Sequence, residues 1–203
     1  MNAVYKSMPL NLKKMKSNSS VAIIDRENRQ YPEILIKRLG KDAPDRLWVI
    51  GNPELLTLSK TALFCSGRCP GDAILAAYDQ AQQWREKGRC VISGFHSAIE
   101  RECLNILLRG LQPVVICPAR SIENMRIPGI WRPAVAEGRV LMLSMFSASE
   151  HRMTAKLSTQ RNQMVAALAD EIFFIHITPG GRSAQLLEQA SNLGIPIYGV
   201  NGV

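Results

Sequence analysis

The chain has 203 residues, 46% hydrophobic and 21% charged, which suits one packed domain and excludes a globally disordered chain. Its formal net charge of +8 favours a polyanionic partner such as nucleic acid, a nucleotide or an acidic surface. No apolar run approaches the ~18 residues of a membrane span and the first twenty residues lack the apolar core of a signal peptide, so the expected location is the cytoplasm, off the membrane.

Residues 1–20 carry Lys6, Lys13, Lys14 and Lys16 and no acid, and are expected to be a flexible basic arm. Residues 21–203 read as a single domain with 21–58 as its lead-in. Within the lead-in come an apolar run Val21–Ile24, a short helix over Tyr31–Leu39, a turn over Lys41–Arg46 set by Asp42 and Pro44, and a strand over Leu47–Gly51. The main body then alternates. A strand ends at Gly67, and a helix follows over Gly71–Gly88, capped by Asp72, with Ile74, Leu75, Tyr78, Ala81 and Trp84 as its buried stripe. A strand ends at Gly94, a helix runs over Ser97–Arg109, and strands follow at Gln112–Ala119 and Gly138–Phe146. A helix over Ser158–Leu168, a strand over Glu171–Ile177, a helix over Arg182–Gly194 and a strand over Ile195–Val200 complete the chain.

Five of these strands are continuous apolar runs, which marks strands buried on both faces. Strand, helix and strand at this spacing make right-handed crossover units. The expected fold is α/β: a Rossmann-like, doubly wound, mainly parallel sheet with helices on both faces. Ligands of such sheets sit beyond the carboxyl ends of the strands. One mouth is therefore expected from five loops, Cys65–Cys69, Ser93–Ala98, Cys117–Ser121, Met145–Ser149 and Ile177–Ser183.

The loop "CSGRCPGD" offers Ser66, Gly67 and Arg68, with a helix start just beyond Pro70. Free amides at a helix start and a guanidinium fork both suit a phosphate. It is neither a dinucleotide fingerprint nor a Walker loop. The loop "SGFHSAIER" offers Ser93, Gly94 and His96 for phosphate or base, and Glu100 for loop amides or a ribose hydroxyl. The polar stretch after the fourth of these loops is basic, with His151, Arg152, Lys156 and Arg161. Arg161 and Asn162 form a candidate anion and base-edge pair on a helix. In "TPGGRSAQ", Gly180, Gly181 and Ser183 make a candidate phosphate nest. His96, Trp131 and Phe146 are the candidate stacking surfaces.

The five cysteines are odd in number, and Cys65 and Cys69 have no second ligand pair, so neither a disulfide framework nor a zinc site is expected. No metal and no cofactor is called for. No nucleophile arrangement stands out, and Glu100 and Glu188 are the acids nearest the mouth, so no catalytic residue is assigned. The pattern points to binding rather than catalysis, the ligand being single-stranded DNA or a nucleotide.

In order and spacing these segments resemble the DNA-processing family DprA/Smf. "YPEILIKRLGKDAPDRLWVIG" is similar to that family's lead-in; "SGR" at 66–68 resembles its Gly-Ser-Arg loop; "SGFHSAIE" resembles its Ser-Gly-Leu-Ala-x-Gly-Ile-Asp, with Glu100 at the Asp. "QRNQMVAALAD" resembles its Arg-Asn-Arg helix, and "PGGRSAQLLEQASNLGIPIYGVNG" its Ser-Gly-Ser motif and closing strand. The resemblance implies a Rossmann-like domain that binds single-stranded DNA, forms a homodimer and hands DNA to a RecA-like recombinase in transformation. It places DNA contact on Arg68, Ser93, Gly94, Arg161, Asn162, Gly180, Gly181 and Ser183. The chain departs from the pattern at Ala98 and Gln163, where Gly and Arg are usual, and the family's flanking helical and winged-helix modules are not expected. "TPGGRSAQLLE" also looks like the Pro-Gly-Gly-x-Gly-Thr-x-x-Glu motif of the lysine-decarboxylase-like phosphoribohydrolases, which split nucleoside monophosphates. Leu187 falls at their catalytic Glu and Glu188 one place late, a rotation of about 100° on a helix. A nucleotide-signal sensor and such a hydrolase are the alternative functions.

Overall fold

Strand burial sets the architecture. In the computed structural model, which describes residues 20–199, eight strands form one sheet. They are β1 (Ala22–Asp25), β2 (Arg46–Gly51), β3 (Lys60–Phe64), β4 (Cys90–Ser93), β5 (Val114–Ile116), β6 (Val140–Ser144), β7 (Glu171–Phe174) and β8 (Ile197–Gly199). Every residue of β3, β4, β5 and β6 is buried, as continuous apolar runs require when both faces are covered. The order across the sheet is β1-β2-β6-β5-β4-β3-β7-β8. From β6 to β8 all pairings are parallel. At one edge β2 pairs antiparallel with β6, and β1 antiparallel with β2. This is the expected doubly wound, mainly parallel sheet, extended by a two-stranded lead-in. The basic-arm expectation falls on residues 1–19, outside the described residues, apart from Ser20.

Among the described residues six α-helices cover the sheet: α1 (Glu33–Leu39), α2 (Gly71–Glu86), α3 (Ala98–Leu108), the short α4 (Arg132–Ala136), α5 (Ala155–Leu168) and α6 (Arg182–Asn192). One apolar cluster holds Leu35 of α1, Met164 and Val165 of α5 and Leu186 of α6 against one face. The other holds Ala77 of α2, Leu104 of α3 and Val135 of α4 against the opposite face. Within the parallel winding from β3 to β8 the chain changes face once, in the connection β6–α5–β7; α1 of the lead-in already lies on the α5 and α6 face. The order of the parallel strands reverses between β3 and β7, which is the topological switch point where such sheets bind ligands.

Four local expectations are corrected. α2 has Pro70 as its N-cap and no side-chain cap; Asp72 lies in the first turn instead. Its buried stripe is Ala73, Ala77, Ala81 and Trp84, and Leu75 is 67% exposed. Small residues fill the stripe because α2 lies flat against α3. α5 begins at Ala155, three residues early, because Thr154 accepts a bond from the Leu157 amide and caps it. Phe146 is buried with Ala119 and Leu157 and presents no stacking face.

Candidate nucleic-acid interface

Beyond the carboxyl end of β3, at the switch point, lies a cavity of about 520 Å³. Its wall comes from the loop after β3 (Cys65, Ser66 and Gly67), the start of α3 (His96 to Glu100), the first half of α5 and the start of α6. The mouth is narrower than the five loops foresaw. The expected segments Cys117–Ser121 and Met145–Ser149 line no part of it; of the stretch after β6 only Met153 and Thr154 reach it, and the helices α5 and α6 close it instead.

Glu100 organises the first two segments. Its carboxylate accepts from the His96 amide at 2.8 Å, the Ser97 amide at 3.0 Å and, across the gap between strands, the Cys65 amide at 3.0 Å. The Ser97 hydroxyl in turn accepts from the Glu100 amide, completing a capping box. The turn that feeds it contains Phe95 at a φ of 47°, left-handed and uncommon for an aromatic residue. Burial of the ring in the core of that face holds it there. Ser93 lies inside the frame: its hydroxyl donates to the Leu63 carbonyl at 2.7 Å and accepts from the Phe95 amide.

Arg161 forms part of the cavity wall yet is only 4% exposed. Its Nη1 donates to the Cys117 carbonyl at 2.7 Å and its Nε to Asn162 Oδ1 at 2.8 Å. Nη2 has no partner among the described residues. Burial pulls its pKa below the ordinary guanidinium range, and the Glu100 carboxylate partly offsets that. Gly94 makes the space: a β-carbon there would lie 1.1 Å from Arg161 Nη1.

The third segment is the Pro-Gly-Gly turn. Gly180 has a φ of 70°, and the Gly181 amide donates to the Thr178 carbonyl. Gly181 is the N-cap of α6 and supplies no side-chain cap. The Arg182 and Ser183 amides therefore have no acceptor among the described residues, and a helix start with free amides attracts an anion. Ser66 and Ser183 hydroxyls meet at 2.5 Å, and Ser66 also accepts from the Thr178 amide at 2.9 Å. These bonds lock the loop after β3 to the loop after β7.

Of the residues singled out in the sequence, Ser66, Gly67, His96, Glu100, Arg161, Asn162 and Ser183 share the wall. Arg68 and Lys156 are exposed and off the wall, each next in sequence to a wall residue, Gly67 and Ala155. Ser93, Gly94, Gly180 and Gly181 shape the frame and are not wall residues. Glu188 is exposed on α6, away from the wall, while Leu187 packs towards the core. Trp131 is half-buried against the opposite face and does not reach the cavity. Sequence reasoning passed over Arg182 and Thr159. The signal for Arg182 was present: a cation at the first position of a helix opposes its dipole, which a bound anion would reverse.

Among the described residues no group of three or more His, Cys, Asp or Glu can hold a metal ion, and no helix is long and apolar enough to cross a membrane. Burial pushes the thiols of Cys90, Cys103 and Cys117 up to about 12 and raises those of Cys65 and Cys69, so none is an activated nucleophile.

The family model described as DNA recombination-mediator protein A matches residues 22–203. No curated protein matches the chain. Among solved structures, DNA processing protein A from Streptococcus pneumoniae aligns with a TM-score of 0.72 at 17% identity, over 89% of this chain. The chain spans 62% of that protein, less than two thirds of its length. DNA processing protein A from Helicobacter pylori, solved for its single-stranded DNA binding mode, aligns with a TM-score of 0.70 at 18% identity, over 93% of this chain and 86% of that one. At these identities the likeness is one of fold.

Proposed function

Since the chain belongs to the DNA recombination-mediator protein A family, we propose that the cavity at the switch point grips the phosphates of single-stranded DNA, as a binding mediator rather than an enzyme. The observation that carries this reading is the convergence of a buried guanidinium, Arg161, and the uncapped start of α6 on one wall. Both donors are held in place before any ligand arrives, so binding loses little side-chain entropy. The Ser66 and Ser183 hydroxyls and Arg182 add donors beside them, and Glu100 is already engaged by three amides.

Outside the wall, Arg68 and Lys156 extend the cationic track for a backbone that enters and leaves. The wall has little aromatic surface beyond His96, so sequence preference is weak. Family membership supports a cytoplasmic homodimer that passes DNA to a RecA-like recombinase, with residues 21–203 as the DNA-binding unit.

Fluorescence anisotropy with labelled oligo-dT tests the reading. Affinity rises with oligomer length and falls steeply with salt. Arg182→Ala weakens binding and lowers the log–log salt slope by about 0.7, the value for one lost phosphate contact on a single strand. If a mononucleotide saturates the protein as tightly as the oligomers, the ligand is a small nucleotide. If Arg182→Ala changes neither affinity nor slope, this wall is not where the backbone binds.

A further inference from the structure

A second cavity, about 460 Å³, lies between α1, α5 and α6 on the same face of the sheet. It shares Leu186 with the first cavity. Between them a small dip runs along the crease of α5 and α6; its wall takes Thr159, Asn162 and Arg182 from the first cavity and Gln163 and Gln189 from the second. The two cavities are thus two stations on one track.

Their chemistry differs. The first is rich in cations and free amides. The second has an apolar floor, with Met145, Ala166 and Leu186, and a rim of four carboxamides: Gln160, Gln163, Gln189 and Asn192. The charged residues on its wall are Arg38 and Asp42, one of each sign, and Arg38 already donates to the Ala167 and Ala169 carbonyls at the end of α5. Among the described residues the four carboxamides make a single bond with one another, Gln163 Nε2 to Gln189 Oε1 at 3.3 Å. Each carboxamide carries two donors and an acceptor with two lone pairs, so most of that capacity is open. An apolar floor with a rim of mixed donors and acceptors fits a flat heterocycle whose faces are apolar and whose edge is polar. It does not fit a phosphate.

We infer that this crease cavity is a nucleobase subsite, occupied by a base of the same strand whose phosphates sit in the first cavity. The inference rests on the phosphate reading of that first cavity. Because a carboxamide can donate or accept, the subsite accepts all four bases with small preferences, and the strand gains affinity without being read for sequence.

The test uses dT6 and a six-unit abasic phosphodiester of equal charge, so that the difference between them reports base contacts alone. The protein variant is Gln163→Leu combined with Gln189→Leu, two residues with side chains at the surface. The wild-type protein binds dT6 about tenfold more tightly than the abasic strand, as expected for one or two hydrogen bonds plus apolar cover. The double variant binds the two strands within about twofold of each other, and binds the abasic strand as the wild type does. A variant that keeps the whole preference, or a wild type that has none, overturns the crease subsite. In either case Arg182→Ala still weakens the abasic strand if the phosphate reading holds. If Arg182→Ala leaves abasic binding unchanged, the phosphate reading fails and the subsite falls with it.

Discussion

At position 94 the side chain is a hydrogen because the volume beside it belongs to the Arg161 guanidinium. Neither residue is explained alone. From sequence Arg161 reads as an anion-binding group on a helix and Gly94 as a strand end that could meet a phosphate, and nothing in the sequence pairs the two. Only the packed sheet shows the pair: α5 crosses under β3 and β4, carrying Arg161 to the gap that Gly94 leaves open and to the Cys117 carbonyl. Gly94→Ala would drive the guanidinium from this place and strand a charge that is 4% exposed. Breaking a buried charge's arrangement costs about 3–5 kcal/mol. Gly94→Ala therefore lowers stability by about 3 kcal/mol or more, read as a drop in the urea midpoint, and abolishes oligo-dT binding with it. Glu100 was more legible. Its place three residues after Ser97 is the signature of a capping box, although the third bond, from Cys65 on another strand, had no sequence signal.

The helices show what periodicity does and does not fix. For α2 the pattern located the element but not the face. Its large apolar residues suggested Leu75 as core, yet the residues packed against α3 are Ala73, Ala77 and Ala81, with the Cys103 thiol on α3 3.7 Å from the Ala77 carbonyl. Close helix approach selects small side chains, and a reading based on size alone turns the helix the wrong way. The contrast is testable. Ala77→Leu overpacks the contact and destabilises by about 1–3 kcal/mol, whereas Leu75→Ser on the open face stays within about 0.5 kcal/mol; thermal unfolding of the two variants separates them. Thr154 as a cap and the five-residue α4 went unseen for a related reason. One sits inside a long polar run, and the other, "RPAVA", is too short to show a period.

Over the whole chain, continuous apolar runs announced a parallel sheet buried on both faces, and the switch point followed from it. The direction of β1 and β2 did not, since an apolar run carries no orientation. The cavity wall was foreseen as loops, and half of it is helix, because sequence gives loop ends but not the slant of α5 across them. Burial on both faces also has a pH signature. Cys90 and Cys117 lie in one core and Cys103 in the other, each with its thiol pushed from 9.0 to about 12. The unfolded chain releases these protons above pH 9 while the folded one holds them. Stability is therefore intact below pH 9 and lost as pH climbs towards 12, by about 1.4 kcal/mol per pH unit for each thiol. Lys60 acts in the opposite sense, since burial lowers its pKa below 10.5 and penalises its charged form in the fold. Comparison with Cys103→Ala isolates one thiol: the stability difference is flat to pH 9, and beyond it the wild type loses ground to the variant in urea titrations. The change of face within the parallel winding has its own consequence. Only one stretch of chain, Met145–Thr154, joins the two halves of the winding, and Ala148–Ser149 and His151–Thr154 within it are exposed. Severing it would leave two complementary fragments, one bearing β3 and the Glu100 turn, the other α5 and α6. They would be zipped together along the β3–β7 ladder, and neither would own a complete binding wall until they rejoin.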